Sequence, residues 1–402
     1  MTSPTEQFKV PAGFRLGATT CGIKRSGSPD LALIHAPEGA SAAAVFTTNR
    51  LCAAPVIVGC EHLAVSQGRI HAVIVNAGNA NCATGEPGLE AARRSCEAVA
   101  ETLGIQVAQV IPSSTGVIGV PFPTEKLVAG VGRVAECAGD SSAHSEGFAR
   151  AIMTTDRRPK LAMATIELRG KTATVLGVSK GAGMIHPQMA TMLAYVMTDV
   201  EATPEQLSRI LGPIANRTFN RISIDGDTST NDTLMLLASG KSSIRIEGRA
   251  AQTKFAKAVE QVCASLAEKM VRDGEGVKHL VKLKIQGART EKEAEQIATV
   301  IATSALVKTA WAGADPNWGR ILAALGRSGV AVDVSNVDIS FGELPICRAG
   351  MAVPFEESTA HAYLSQPEFE ITVQLNRGSR EILYLTCDLT SDYVKINADY
   401  RT

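Results

Sequence analysis

Short apolar runs alternate with amphipathic stretches along the whole chain, and each spacing predicts its own element. Residues 72–76 (AVIVN) form an apolar run; after the polar AGNANCATG, Leu89, Ala92, Cys96, Val99 and Leu103 recur at helical spacing before Gly104. A strand, a loop and a helix are expected there, because apolar residues three or four apart share one face of a helix. Thr203-Pro204-Glu205-Gln206, ahead of Leu207, Ile210, Leu211 and Ile214, predicts another helix start. Its threonine caps, its proline has no first-turn N–H to waste, and its glutamine reaches back to the cap. Val281, Leu283 and Ile285 alternate with Lys282, Lys284 and Gln286 as in a half-buried strand, and Thr290 with Glu293 opens a helix through Ile297, Val300 and Ile301. Residues 164–179 read as a hairpin turning at Arg169-Gly170, and strand-like runs return at 370–375 and 381–389. Patterning alone therefore gives an α/β or α+β protein without repeats or linkers, with a second lobe beginning near 280.

Composition narrows the function by exclusion. A chain of 402 residues with 45% hydrophobic content can bury two cores. Forty basic and forty acidic residues cancel, which argues against nucleic acid or an acidic membrane as partner. The start, MTSPTEQFKVPAGF, lacks a basic run followed by an apolar stretch, and nothing later reaches the roughly eighteen apolar residues of a membrane span, so a cytoplasmic enzyme is expected. Nine dispersed cysteines without a CxxC pair read as reduced thiols, and Cys60-Glu61-His62 has no second cluster to complete a metal site. Asp225, Asp227 and Asp232 in DGDTSTND look like a calcium loop at first sight, but the required glycine and late glutamate are out of place. No phosphate-binding glycine motif is present, and 4% aromatic content offers few stacking platforms for bases. The chemistry is thus expected to come from ordinary side chains and main-chain amides rather than from a metal.

Residues 180–193, KGAGMIHPQMATML, combine two glycines, a proline and a following apolar run. Gly181 and Gly183 permit close approaches and unusual angles, and Pro187 forces extension before it. Such a loop can aim the Thr191 hydroxyl at the Ala190 carbonyl, shift the acyl group from nitrogen to oxygen and, after hydrolysis, release Thr191 as a new N-terminus. An N-terminal threonine carries nucleophile and base together, since a free α-amine titrates near ~7.7 to 8.0. His186 is not needed as a base. Local pattern alone favours a Gly-rich turn capping a helix that begins near Met189, with Thr191 merely in its first turn.

This segment resembles the self-cleavage motif of the ornithine acetyltransferase family, also called glutamate N-acetyltransferase, of the bifunctional type in arginine biosynthesis. GFRLGATTCGIKRSG, AVFTTNR, NAGNANCATG, IPSSTGVIG, MTTD, FNRISIDGDTSTNDT, RDGEGVKHLVK, LVKTAWAGADPNWGRI and DYVKINADYRT are similar to blocks of that family, in its order. NCATG departs slightly from the family pattern, without touching a residue given a role.

The resemblance implies an α/β fold with a layered helix-sheet sandwich as first lobe, a smaller α/β second lobe over roughly 280–402, and the threonine buried between them. It implies self-cleavage into residues 1–190 and 191–402, and a double displacement in which Thr191 takes acetyl from N-acetylornithine and passes it to glutamate, without cofactor. Acetyl-CoA is an alternative donor in part of the family, and two cleaved pairs would form a heterotetramer.

By the same resemblance Thr115 (hydroxyl) and Gly116 (main-chain N–H) supply the oxyanion hole. Thr154, Lys180, Thr191, Glu275, Asn397 and Thr402 contact the substrates. Without the family, Ser113–Gly116 would read as a turn after a strand ending at Ile111, Lys180 as a solvated charge, and Asp-Gly-Glu-Gly as an exposed turn. DPNWGR (Asp315 to Arg320) belongs to the signature but receives no chemical role. The rival readings are a self-processed amidase or aminopeptidase, which would hand the acyl group to water, and an unprocessed amino-acid-binding protein.

Overall fold

The computed structural model describes residues 7–168, 170–186 and 192–399. An eight-stranded sheet carries the first half of the chain and beyond, from β1 (Arg15–Thr19), β2 (Leu31–Phe46), β3 (Arg69–Asn79), β4 (Val110–Val117), β5 (Lys160–Leu168), β6 (Lys171–Lys180), β7 (Leu193–Thr198) and β8 (Thr233–Ala238). Its order is β4-β3-β2-β8-β7-β6-β5, with β1 paired to β2. β5 and β6 form the expected antiparallel hairpin. The two parallel pairs, β3 with β4 and β7 with β8, are each joined through a helix: α2 (Gly85–Leu103) and α5 (Pro204–Arg217). The Thr203 cap forms as expected, its hydroxyl accepting the Gln206 N–H and Gln206 returning to the Thr203 N–H.

Side-chain alternation separates three cores. In β7, Ala194 and Val196 face α5 and α6 (Arg249–Arg272), while Leu193, Tyr195 and Met197 face the other way. In β2 and β3, Leu31, Leu33, Ala72 and Ile74 meet α1 (Ala54–Val65), α2 and α3 (Thr124–Glu136), and Ala32, Ile34, Val73 and Val75 join Tyr195 and Met197 on the inner side. The inner core also takes Phe148 of α4 (Ser142–Ala151). Strands from opposite halves of the sheet share one core, so the sheet curls upon itself, as twisted sheets with bulges do. The bend falls in β2, whose pairing with β3 shifts register between His35 and Ala40.

A six-stranded sheet occupies residues 280–387 in the order β12-β11-β10-β13-β9-β14. Its strands are β9 (Leu280–Ala288), β10 (Asp338–Phe341), β11 (Leu344–Arg348), β12 (Met351–Ala352), β13 (Glu368–Gln374) and β14 (Arg380–Cys387). Its core is built with α7 (Glu291–Ala302), α8 (Ala305–Ala312), α9 (Trp318–Gly326) and α10 (Glu357–Leu364) around buried Trp311. Thr386 ties it to the first body by donating to the Ser223 carbonyl (2.9 Å). The last helix, α11 (Ser391–Asp399), returns to the DGEG turn, where Tyr393 N lies so close to Gly276 that a Cβ there would stand 2.4 Å away. DPNWGR forms the entry to α9, with the Asn317 side chain capping it through the Arg320 N–H (3.3 Å).

Two local alternatives fall. Residues from Leu193 onward form a strand, not a helix begun near Met189, because their alternate sides are buried in two different cores. Ser113 to Gly116 are not a turn; β4 runs through them, and Pro112 is tolerated because β4 is an edge strand. Among the described residues no helix is long and apolar enough to cross a membrane.

Candidate active site

Six of the residues singled out from the sequence, Thr115, Gly116, Thr154, Lys180, Glu275 and Asn397, line one cleft. Ala190, Thr191 and Thr402 lie outside the described residues. Thr115 and Gly116 end β4, Lys180 ends β6, and Thr154 lies in the loop before β5. Glu275 stands in the turn after α6, and Asn397 comes from α11.

Curling of the sheet is what joins the first two groups. β4 and β6 are separated by four strands in the sheet order, yet the Lys180 ammonium donates to Thr115 Oγ1 at 2.9 Å. Lys180 is not a solvated charge; it is 3% exposed. Because the ammonium occupies an acceptor position on Thr115 Oγ1, the Thr115 proton is free to point elsewhere. Burial pulls the Lys180 pKa down and nearby Lys160 adds to this, while Asp156, Asp232 and Glu275 oppose it.

Asp156 of MTTD, given no role from the sequence, organises this end of the cleft. Its carboxylate accepts from Lys160 Nζ (2.6 Å), Gly181 N–H (2.7 Å) and Thr154 N–H (3.0 Å), fixing the Thr154 loop against the glycine loop. Burial would raise its pKa, but the Lys160 and Lys180 charges outweigh burial and hold it at about 2. Lys160 also donates to Asp273 Oδ2 (2.6 Å), beside the DGEG turn.

At the other end, Asn397 donates to Glu275 Oε2 (2.8 Å), and Glu275 N–H to the Ala182 carbonyl (2.8 Å). Gly183 allows this approach, since a Cβ on it would lie 2.7 Å from the Glu275 carboxyl carbon. Asp225 and Tyr393 line the same end, the Tyr393 hydroxyl donating to Asp225 Oδ2 (3.3 Å). Burial raises Asp225 to about 6 against the opposing N–H groups of Met184, Asp227 and Ile185. Asp232 is fully buried and raised well above the usual carboxylate range by burial, against the Met192 N–H and the Lys180 charge. The sequence offered Asp225 and Asp232 only as a failed calcium loop. Their actual signal was two acids in a Gly/Ser/Thr-rich stretch just before a strand. Among the described residues no group of His, Cys, Asp and Glu is arranged to hold a metal ion.

Among the described residues the cleft thus offers the Lys180 cation with hydroxyls at one end, and carboxylates with an amide at the other. Such a set suits a small zwitterion with a further polar group.

Comparison with known proteins places this site in a lineage. The model of the ArgJ family matches residues 15–402. The arginine biosynthesis bifunctional protein ArgJ of Pseudomonas fluorescens (strain Pf0-1) is 45% identical over 405 residues, covering 99% of this chain and 98% of its own. That of Methylococcus capsulatus is 46% identical over 395 residues, covering 97% and 96%. A crystal structure of the arginine biosynthesis bifunctional protein ArgJ from Bacillus halodurans, 40% identical, matches with a TM-score of 0.50 over 51% of this chain and 98% of that one. With nearly the whole chain matched at this identity, the chain belongs to the ArgJ family, the glutamate N-acetyltransferase family of arginine biosynthesis whose motifs it carries.

Proposed function

We propose that this chain cuts itself between Ala190 and Thr191 and uses the freed Thr191 to carry acetyl from N-acetylornithine to glutamate. The supporting observation is convergence: six residues drawn from positions 115 to 397 meet in one cleft at the foot of the loop leading to Thr191. In the cut, the Thr191 oxygen bonds to the Ala190 carbonyl carbon, the carbon–nitrogen bond breaks, and the hydroxyl proton ends on the departing nitrogen. Water then opens the ester, leaving a carboxylate on Ala190 and a free hydroxyl and amine on Thr191.

In transfer, the α-amine takes the Thr191 hydroxyl proton as the oxygen attacks the acetyl carbonyl. The Thr115 hydroxyl and the Gly116 N–H receive the developing oxyanion. Collapse returns the proton to ornithine's departing amine and leaves an acetyl ester, which the amine of glutamate then opens by the reverse steps. Glu275 with Asn397 holds the substrate's ammonium end, with Thr154 and Thr402 completing the contacts and no cofactor needed. The word bifunctional in the relatives' names supports acetyl-CoA as a second donor.

Chain topology favours cleaved halves that stay together. β7 and β8, which follow the cut, lie between β2 and β6, which precede it, so separation would expose a sheet interior on both sides. The solved relative, whose chain spans about half of this one, has the length such a cut leaves. Two such pairs form the proposed heterotetramer.

Intact mass before and after incubation with N-acetylornithine alone tests the reading. Two fragments divided at Ala190, with an acetyl mass added to the one beginning at Thr191, are expected, and Thr191→Ala should give one uncut, inactive chain. An uncut wild-type chain without adduct overturns the mechanism, and acetyl lost to water regardless of glutamate points to an amidase.

A further inference from the structure

Residues 223–233 contact the processing segment at both of its described ends. Upstream, Asp225 accepts two main-chain N–H groups, that of Met184 at Oδ2 (2.5 Å) and that of Ile185 at Oδ1 (2.9 Å). Beside it the Ile224 N–H and the Ser223 hydroxyl both donate to the Ile185 carbonyl, at 2.8 and 3.1 Å. Downstream, the Met192 N–H donates to Asp232 Oδ1 (2.8 Å), and the Thr233 N–H to the Met192 carbonyl (3.0 Å). The Met192 N–H belongs to the peptide bond that follows Thr191.

Neither carboxylate is placed where a sheet or helix needs one. β7 pairs with β8 from Leu193 and Thr233 onward, so Met192 lies just outside the ladder. Asp232 is fully buried, a costly setting for a carboxyl, and its Oδ2 has no partner among the described residues; Asp225 is half-buried at the cleft wall. What the two acids have in common is the stretch between Ile185 and Met192, whose ends they hold.

We infer that residues 223–233 are a template for self-cleavage, in which Asp225 and Asp232 act as positioning residues that fix both ends of the 186–191 segment before the cut and retain the new chain ends after it. The inference rests on the cut at Ala190 proposed above. An intramolecular attack requires the hydroxyl and the carbonyl carbon in near-contact, and anchoring both ends of a short segment removes most other arrangements. After the cut, Met184 and Ile185 belong to one product and Asp225 to the other, so the upstream anchor becomes a contact between chains. Downstream, Asp232 keeps the first peptide of the new N-terminus in register with β8.

The two acids differ in what an amide can replace. Burial pushes the Asp232 carboxyl toward its neutral form, and only one of its oxygens accepts an N–H, so asparagine copies it. Asp225 uses both oxygens for main-chain N–H groups, and asparagine would turn an NH₂ toward one of those donors.

Cell-free synthesis of the full chain, sampled over time and read by intact mass, gives the rate of the cut, with thermal melting as the control for folding. Asp232→Asn should be cut within a few-fold of the wild-type rate. Asp225→Asn should be slower, and Asp232→Ala slower by about a hundred-fold, the scale of a 1 Å misplacement of reacting groups. If an alanine variant fails to fold, the two asparagine variants still carry the contrast. Alanine variants cut at the wild-type pace overturn the inference, and so does an Asp232→Asn chain that folds yet stays whole, because the carboxyl would then be moving a proton. A wild-type chain that never cuts overturns the cleavage reading and this inference together, whereas a cutting wild type with indifferent variants overturns this inference alone.

Discussion

Lys180 and Thr115 should behave as one unit in acetyl transfer, and a double-mutant cycle reads this directly. Thr115→Val removes a hydroxyl while keeping its shape, and loss of one oxyanion donor costs roughly a hundred- to thousand-fold in kcat. Lys180→Met removes the ammonium that donates to Thr115 Oγ1 at 2.9 Å. A hydrogen bond to a charged group contributes about 1.5–3 kcal/mol, equivalent to roughly ten- to hundred-fold in rate if it is felt fully at the transition state. If Lys180 acts through Thr115, that loss should nearly vanish in the Thr115→Val background, giving an interaction energy above about 1 kcal/mol. The assay is ornithine release from N-acetylornithine in the presence of glutamate, with kcat and KM resolved and rates normalised to the cleaved fraction. The pH profile adds a second readout: Lys180's pKa is lowered, first by burial, so its cation is lost as pH rises through that lowered value, and activity should fall on the alkaline side. Lys180→Met should lack the part of the alkaline fall due to this group. Losses that simply multiply in the double mutant would refute the coupling.

Other consequences concern the opposite end of the cleft and the buried charges. Gly183→Ala should raise the KM for acetylornithine, since its Cβ would crowd the Glu275 carboxyl; unchanged kinetics would remove Glu275 from substrate contact. Glu275→Gln keeps the bond from Asn397 but loses the charge, costing about 1.5–3 kcal/mol in kcat/KM if the substrate ammonium meets it. Lys160→Met leaves Asp156 and Asp273 buried without their shared cation and should destabilise by about 3–5 kcal/mol in denaturant unfolding. Asp156 is held at about 2 in the fold, against roughly 3.9 in an unfolded chain. Because the folded value is the lower one, its contribution of about 2–3 kcal/mol is present above pH ~4 and lost as pH falls toward ~2. Acid unfolding of Asp156→Asn should lack this step.

What could be read without coordinates was whatever depends on neighbours in sequence. The helix capped by Thr203, the one ending at Gly104, the β5–β6 hairpin and the alternation of β9 all follow from local spacing, and they form as expected. Local chemistry also marked Lys180–Leu193 as unusual, although it did not separate a strand from a helix after Thr191; burial on both faces made that choice. By pattern alone Ser113–Gly116 read as a turn, and only the resemblance gave Thr115 and Gly116 a role, because a small polar run is equally compatible with an edge strand whose far end faces a cleft. Asp156 and Lys160 escaped notice because their meaning lies in partners distant along the chain, the Gly181 N–H for Asp156 and, 113 residues away, Asp273 for Lys160.

By itself, then, the sequence determined the elements with a clear local period or cap, the α/β class, the segment prepared for reaction and, through its ordered motifs, the family. The tertiary structure decided proximity. Only a bent β2 and a sheet that curls bring Lys180 to Thr115 across four intervening strands, and only the return of the last helix carries Asn397 to Glu275. Spacing along a chain fixes which face a residue occupies, whereas contacts across hundreds of residues depend on how whole faces bury one another, and that is a property of the packed fold.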